Sequence, residues 1–271
     1  MRKFCSSLLV FSLLFALGSC KSAFEKVLAS NDIDYKFEKA NELYEQNKYM
    51  KANELYENLI PSFRGKKSYE ELFYRYCYSF FYQEDYLSAS YQFKNFVEYF
   101  PKSSKADECE YMYAKCLYLQ SPKFSLDQTN TIKAMEVLQT YINTHPGSAN
   151  LKEANDYIDQ CRAKIEKKDA NTALLYFNIG EYKSASAAYK ALIQEYPESA
   201  RLDFYQLMLM RSCFKYAERS IPEKREERYA ETVNGYKDFQ QYTPNSPLKK
   251  DAEKLSASAQ SIINQLRNEH K

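Results

Sequence analysis

The segment YKSASAAYKALIQEYPES, residues 182–199, contains the pattern that decides the fold. It places the small residue Ala185 twelve positions before Pro197. Two larger apolar residues, Tyr189 and Leu192, follow Ala185 by four and seven positions. Apolar residues at this spacing form one buried stripe of an α-helix, and a proline ends the helix. The segment therefore predicts one amphipathic helix that stops at a proline.

The same pattern recurs along the chain. The closing prolines are Pro101, Pro146, Pro197 and Pro244. The small residues twelve positions before them are Ala89, Ala134, Ala185 and Thr232. A serine follows each proline by two positions, at Ser103, Ser148, Ser199 and Ser246. An earlier copy contains Ala52 and Pro61. Because serine is a favoured N-cap residue, we predict that each of the four serines begins the next helix.

Each of these helices is preceded by another with its own small residue. These residues are Ala40, Cys77, Ala114, Ala173 and Ser212. The chain also has 26 Tyr and 17 Phe but only 5 Gly and 8 Pro, a balance that favours helices over many short strands. We therefore predict an all-α fold of about five helix pairs, with an extra helix over about 149–166 and a C-terminal capping helix over 247–268.

This register resembles the tetratricopeptide repeat, in which small residues let paired helices pack closely and a proline closes the pair. The likeness implies a tetratricopeptide-repeat superhelix whose repeats stack on their neighbours. It also implies a groove lined by first-helix positions three before, one after and four after the small residue. In the first three repeats these positions are Phe37, Asn41, Tyr44, Tyr74, Tyr78, Phe81, Tyr111, Lys115 and Tyr118.

The amino terminus predicts export and lipidation. Arg2 and Lys3 precede an apolar run that is too short to span a bilayer and fits a signal peptide over 1–19. The sequence Leu17-Gly18-Ser19-Cys20 resembles the lipobox of bacterial lipoproteins. That likeness implies N-acyl (palmitate) and S-diacylglycerol groups on Cys20, a lipidated tether over 20–32, and a place on the outer membrane facing the periplasm.

The composition argues against a nucleic-acid partner. Formal net charge is +2, and without Arg2 and Lys3 the chain has 36 basic and 36 acidic residues. No stripe of Lys and Arg is interleaved with aromatic residues, so the electrostatic pattern expected for a phosphate backbone is missing. We expect no nucleic acid among the partners.

The sequence also gives no sign of catalysis. It contains no GxSxG, P-loop, GxGxxG or HExxH motif. The five cysteines beyond Cys20 form no CxxC or Cys/His cluster, which favours small core residues over a metal site. They are Cys77, Cys109, Cys116, Cys161 and Cys213. We predict a protein that is not an enzyme and has no metal and no cofactor besides the lipid.

The whole chain resembles the BamD family, the lipoproteins of the outer-membrane β-barrel assembly machinery. The segments that carry the likeness are Asp127-Gln128-Thr129 ahead of Ala134, His145-Pro146-Gly147-Ser148, and Cys161–Glu166 leading to Ala173. The resemblance implies a scaffold that binds a BamA-like barrel subunit, unfolded outer-membrane proteins and other assembly lipoproteins. The alternative is a generic periplasmic repeat adaptor in cell-wall or envelope organisation.

The family likeness divides the repeats by function. Repeats one to three, residues 33–148, would hold unfolded clients in the groove, and residues 149–271 would dock on the partner. An alternative for the groove aromatics is that they are core residues under the extra helix. Arg201 and Asp203 are candidates for partner contact, and their alternative is ordinary solvated charge at a helix end.

Overall fold

The structure, a computed structural model, describes residues 23–269, so the predicted signal peptide and Cys20 lie outside the described residues. All regular secondary structure within this range is α-helical. The helices are α1 (Ala23–Leu28), α2 (Ile33–Glu45), α3 (Tyr49–Phe63), α4 (Tyr69–Tyr82), α5 (Tyr86–Tyr99), α6 (Ala106–Leu119), α7 (Thr129–Thr144), α8 (Leu151–Asn178), α9 (Tyr182–Glu195), α10 (Leu202–Glu218), α11 (Pro222–Tyr242) and α12 (Lys249–Glu269). The predicted all-α, tetratricopeptide-repeat fold class is confirmed.

The described chain divides into two compact units. The first unit contains residues 23–121 and 133–157, and the second contains residues 122–132 and 158–269. Helices α7 and α8 each contribute to both units. The functional division at residue 148 stays a prediction.

The small residues of the repeat pattern lie where the helices pack most closely. All ten of them are fully buried: Ala40, Ala52, Cys77, Ala89, Ala114, Ala134, Ala173, Ala185, Ser212 and Thr232. Larger stripe residues such as Tyr56, Phe93 and Tyr189 are fully buried beside them. The predicted register therefore describes the packing of all five helix pairs.

The second unit shows how the last helix completes the core. Ala252 of α12 packs with Leu207 and Phe239, and Ala259 packs with Ala217 and Tyr229. Through these contacts the apolar face of α12 covers α10 and α11. The prediction that the last helix caps the repeats agrees with this packing. The helix begins at Lys249, two residues later than predicted.

The predicted extra helix is not separate. It is continuous with the first helix of the fourth repeat, and together they form the 28-residue helix α8. Residues 151–178 contain neither glycine nor proline, so nothing in the local sequence stops the helix at residue 166. The helix ends just before Gly180, whose φ of +85° is a backbone conformation that favours glycine.

The prediction that the four serines act as N-caps is wrong. The following helices begin three residues after each serine, at Ala106, Leu151, Leu202 and Lys249. Each serine hydroxyl instead accepts a hydrogen bond from the backbone N–H two residues later, at 3.0 to 3.3 Å. The same hydroxyl donates to a carboxylate on the preceding first helix. The pairs are Ser103–Glu70 (2.7 Å), Ser148–Asp107 (3.1 Å), Ser199–Glu166 (2.5 Å) and Ser246–Asp203 (2.6 Å).

The five described cysteines are buried, as the sequence predicted, and all five are free thiols. Burial raises the pKa of Cys116 and of Cys213 to about 12. A thiol with such a pKa is protonated at neutral pH and is a poor nucleophile. These cysteines therefore serve as small core side chains.

The packing predicts how an extra side chain at a small position would act. We expect Ala185→Leu to lower the free energy of unfolding by about 1–3 kcal/mol, because the added atoms overfill a closely packed helix pair. Ala187→Leu is the matched control, since Ala187 is exposed on the same helix, and it should change stability by less than about 0.5 kcal/mol. Urea denaturation measures both, and equal effects would contradict the assigned register.

Candidate functional site

The nine predicted groove residues lie on the first helices α2, α4 and α6, all within the first unit. Tyr78 and Tyr111 are buried, and the other seven are partly exposed. Contacts join successive helices: Arg75 of α4 lies over the ring of Tyr44 of α2, and Tyr74 of α4 reaches α6. We call the nine residues and the side chains that bind them the aromatic wall.

The nine residues form three trios, one on each first helix. The trio on α2, which consists of Phe37, Asn41 and Tyr44, packs mainly within its own repeat. Phe37 lies against Phe63 with ring centroids 4.9 Å apart, and the Asn41 carbonyl accepts a hydrogen bond from the Tyr56 hydroxyl at 2.8 Å. Tyr44 makes an edge-to-face contact with Tyr82 of the next repeat, at 6.2 Å between centroids. Tyr44 is thus the member of the trio that continues the wall toward α4.

The second trio is organised around the carboxylate of Glu108. The hydroxyls of Tyr74 and Tyr78 both donate to Oε1 of Glu108, the first at 2.9 Å. Burial, and then the hydrogen bond to Glu108, raise the pKa of both tyrosines, so both hydroxyls stay protonated donors. Phe81 packs against Tyr78 and Tyr86. The hydroxyls of Tyr74 and Tyr78 are therefore engaged within the protein, and the partly exposed rings of this trio are those of Tyr74 and Phe81.

Charged side chains run along the same helices. The guanidinium of Arg75 bridges Glu45 at 2.6 Å and Glu71 at 2.8 Å. Lys105 forms an ion pair with Glu71 and lies 4.2 Å from the centre of the Tyr74 ring. Burial alone would raise the pKa of Glu71, but the cations of Lys105 and Arg75 lower it. Cation–π contacts of this kind fix the orientation of the wall tyrosines.

The third trio lies beneath the first turns of α8. Tyr118 stacks on Tyr157 with ring centroids 4.1 Å apart, and Lys115 pairs with Glu153 at 2.9 Å. The Tyr111 hydroxyl lies beside Glu153 but has no hydrogen-bond partner of normal geometry. In this repeat the cover by α8 agrees with the alternative of core aromatics under the extra helix.

Glu153 is the most strongly perturbed acid of the wall. The neighbouring hydroxyls of Tyr111 and Tyr157, and then the ammonium of Lys115, lower the pKa of Glu153 to about 2. Each of these groups stabilises the charged carboxylate more than the neutral acid. Glu153 therefore carries a full negative charge on the wall at neutral pH.

The repeat rule missed five side chains that bind the nine predicted residues. These are Arg75, Lys105, Glu108, Glu153 and Tyr157. A sequence signal was available for three of the acids that bind the loop serines. Glu70, Asp107 and Glu166 each lie seven positions before the small residue of a first helix. No comparable signal identifies Glu153, since it acts from a helix outside the basic repeat.

The two candidates for partner contact differ in their surroundings. Arg201 is exposed, and its guanidinium lies 5.0 Å from the centre of the Phe204 ring. Asp203 is partly buried and accepts hydrogen bonds from Ser246 and from the backbone N–H of Phe204, both at 2.6 Å. The Arg201 side chain is therefore accessible to solvent, whereas Asp203 is engaged in hydrogen bonds within the protein.

Comparison with known proteins gives a family match and several structural likenesses, two of which are described below. A family model described as an outer membrane lipoprotein, YfiO, matches residues 31–201. The TPR2AB-domain:pHSP90 complex of yeast Sti1 is 14% identical, with a TM-score of 0.37 over 84% of this chain and 98% of that chain. A Podosopora anserina putative kinesin light chain with TPR-like repeats is 12% identical, with a TM-score of 0.33 over 79% and 97%. No curated protein sequence matches the chain.

The pKa of Glu153 predicts a pH-dependent contribution to stability. Because this pKa lies below the ordinary value of about 4.3, the contribution is present above pH about 4.3 and is lost as the pH falls through about 2. The Glu153 side chain is 46% exposed, so solvent screening limits the contribution to about 1 kcal/mol. We expect Glu153→Gln to lower the free energy of unfolding by this amount at pH 7.

Urea titrations from pH 7 to pH 3 test this expectation, and the deficit of Glu153→Gln should be smaller at pH 3 than at pH 7. Glu136→Gln is the control, since its side chain is 62% exposed and lies 3.9 Å from Lys133. It should change stability at pH 7 by less than about 0.5 kcal/mol. A deficit for Glu153→Gln that does not change with pH would contradict the electrostatic account of the wall.

Proposed function

The chain belongs to the YfiO family of outer membrane lipoproteins, and from this membership we propose that it is an outer-membrane-anchored periplasmic scaffold of the β-barrel assembly machinery. The single observation that carries the proposal is the family match, which runs through α2 to α9. The family and its repeat fold are scaffold types without catalysis. The protein would therefore act by binding and would not be an enzyme.

We propose that the membrane attachment is covalent. Cys20 would carry the N-acyl and S-diacylglycerol groups, and at least two acyl chains give stable anchoring. Among residues 23–269 no helix is both long enough and apolar enough to cross a membrane. The lipid on Cys20 is the one non-protein group that the proposal requires.

The aromatic wall is the proposed site for unfolded outer-membrane proteins. Tyrosine and phenylalanine rings offer large contact areas at low cost in side-chain entropy, which suits the tolerant binding of extended segments with aromatic ends. The partly exposed rings of Tyr44, Tyr74 and Phe81 support this use. Because Tyr74 and Tyr78 already donate to Glu108, the contact would be made by ring faces.

The later repeats are the proposed docking region for a BamA-like barrel subunit and for other assembly lipoproteins. Arg201 supports this role because it is exposed and held over Phe204. An arginine that is already ordered loses less side-chain entropy when it binds a partner. Asp203 would contribute indirectly, through its hydrogen bond to Ser246.

Affinity purification of the anchored protein in mild detergent, with partners identified by mass spectrometry, tests both roles. The wall variant is Tyr74→Ala/Phe81→Ala, which removes two partly exposed rings. The control is Tyr91→Ala, because Tyr91 is exposed on α5 and is not a member of the wall. We expect a barrel subunit with all three proteins, and clients reduced at least about tenfold only with the wall variant.

Two outcomes would contradict the proposal separately. Equal client recovery with the folded wall variant would exclude the wall as the client site. Absence of a barrel subunit from every sample would exclude the assembly machinery and would favour a generic periplasmic repeat adaptor. Circular dichroism and thermal melting of the purified variants establish that a loss of clients is not a loss of folding.

A further inference from the structure

The start of α3 contacts α1, the described helix nearest in sequence to the predicted lipid anchor. The ammonium of Lys51 is 5.4 Å from the centre of the Phe24 ring in α1. Cys20 precedes Phe24 by only four residues, and an extended chain spans at most about 3.6 Å per residue. Four residues of chain can therefore span at most about 14 Å.

The corner formed by α1 and the start of α3 exposes a large apolar side chain. Met50, next to Lys51, is 75% exposed, the highest value among the large apolar side chains of the described residues. Beside it, Tyr82 is 47% exposed and stacks on Tyr49 with ring centroids 4.7 Å apart. Residues 47–51, Tyr82 and Gln83 line one open depression. A flexible thioether next to amphipathic rings suits the boundary between water and lipid.

Two cations, Lys48 and Lys51, line this apolar surface. The Lys48 ammonium donates a hydrogen bond to the Gln46 side chain at 2.8 Å, and neither lysine takes part in an ion pair among residues 23–269. Glu25 and Glu54 lie on α1 and α3 and offset part of the charge. Lysine ammonium groups attract the phosphates of anionic lipids at short range, while apolar side chains enter the interface.

We propose that the corner formed by α1 and the start of α3 rests on the bilayer surface, with Met50 entering the lipid interface and Lys48 and Lys51 facing lipid phosphates. This inference rests on the proposed anchor at Cys20, which would hold the corner at high effective concentration near lipid. A contact that is weak by itself then suffices. Its consequence is that the repeats are held at a fixed orientation to the membrane.

The sequence contains no tryptophan, so one substitution creates a unique fluorescent reporter. Met50→Trp places the reporter at the corner. Ser62→Trp is the matched control, because Ser62 is exposed near the other end of α3, about 18 Å along the helix. Both full-length lipidated proteins are reconstituted into phosphatidylethanolamine–phosphatidylglycerol vesicles, with and without brominated lipid.

We expect brominated lipid to quench the tryptophan at position 50 at least about twofold, with a blue-shifted emission, and to leave the one at position 62 unchanged. Equal quenching at the two positions, or none at position 50, would overturn the contact. Flotation of the same vesicles is measured first. Protein that floats without quenching leaves the anchor in place and overturns only the contact, whereas protein that does not float overturns both the anchor and the contact that rests on it.

Discussion

A hydrogen bond between a loop serine and an acidic side chain recurs after four of the five helix pairs. The serine hydroxyl closes its own turn and also donates to a carboxylate on the first helix of the preceding pair, as in Ser103–Glu70 and Ser199–Glu166. A charged acceptor makes such a bond stronger than a neutral one. Each bond therefore fixes where the next helix pair begins relative to the last, within the unit that contains it.

This constraint explains how residues distant in sequence form one wall. The Ser103–Glu70 bond holds the junction between α4 and α6, where the tyrosines of α4 reach Glu108 of α6. None of the four bonds lies between α2 and α4, where Arg75 lies over the ring of Tyr44 instead. The same spacing lets small residues such as Ala114 meet their neighbours without a gap. Hydrogen bonding, close packing and the aromatic wall all depend on one register.

The sequence predicts the features of this register that are local. The period of Ala89, Ala134 and Ala185 identified the helix pairs, because small and large residues at fixed spacing have only one way to pack. The serines were assigned the wrong role, since their carboxylate partners lie 33 to 43 residues earlier and no local pattern links the two. The stacking of Tyr157 of α8 on Tyr118 could not be predicted from local sequence either, because it depends on where the long helix α8 begins.

The most direct test of this account is a double-mutant cycle on Ser103→Ala and Glu70→Ala, measured by urea denaturation. If the hydrogen bond fixes the junction, the effects of the two substitutions should be coupled by about 1 kcal/mol. The reason is that each single substitution already removes the hydrogen bond between Ser103 and Glu70. Additive effects, with a coupling energy within error of zero, would show that helix packing alone sets the register and would contradict the account.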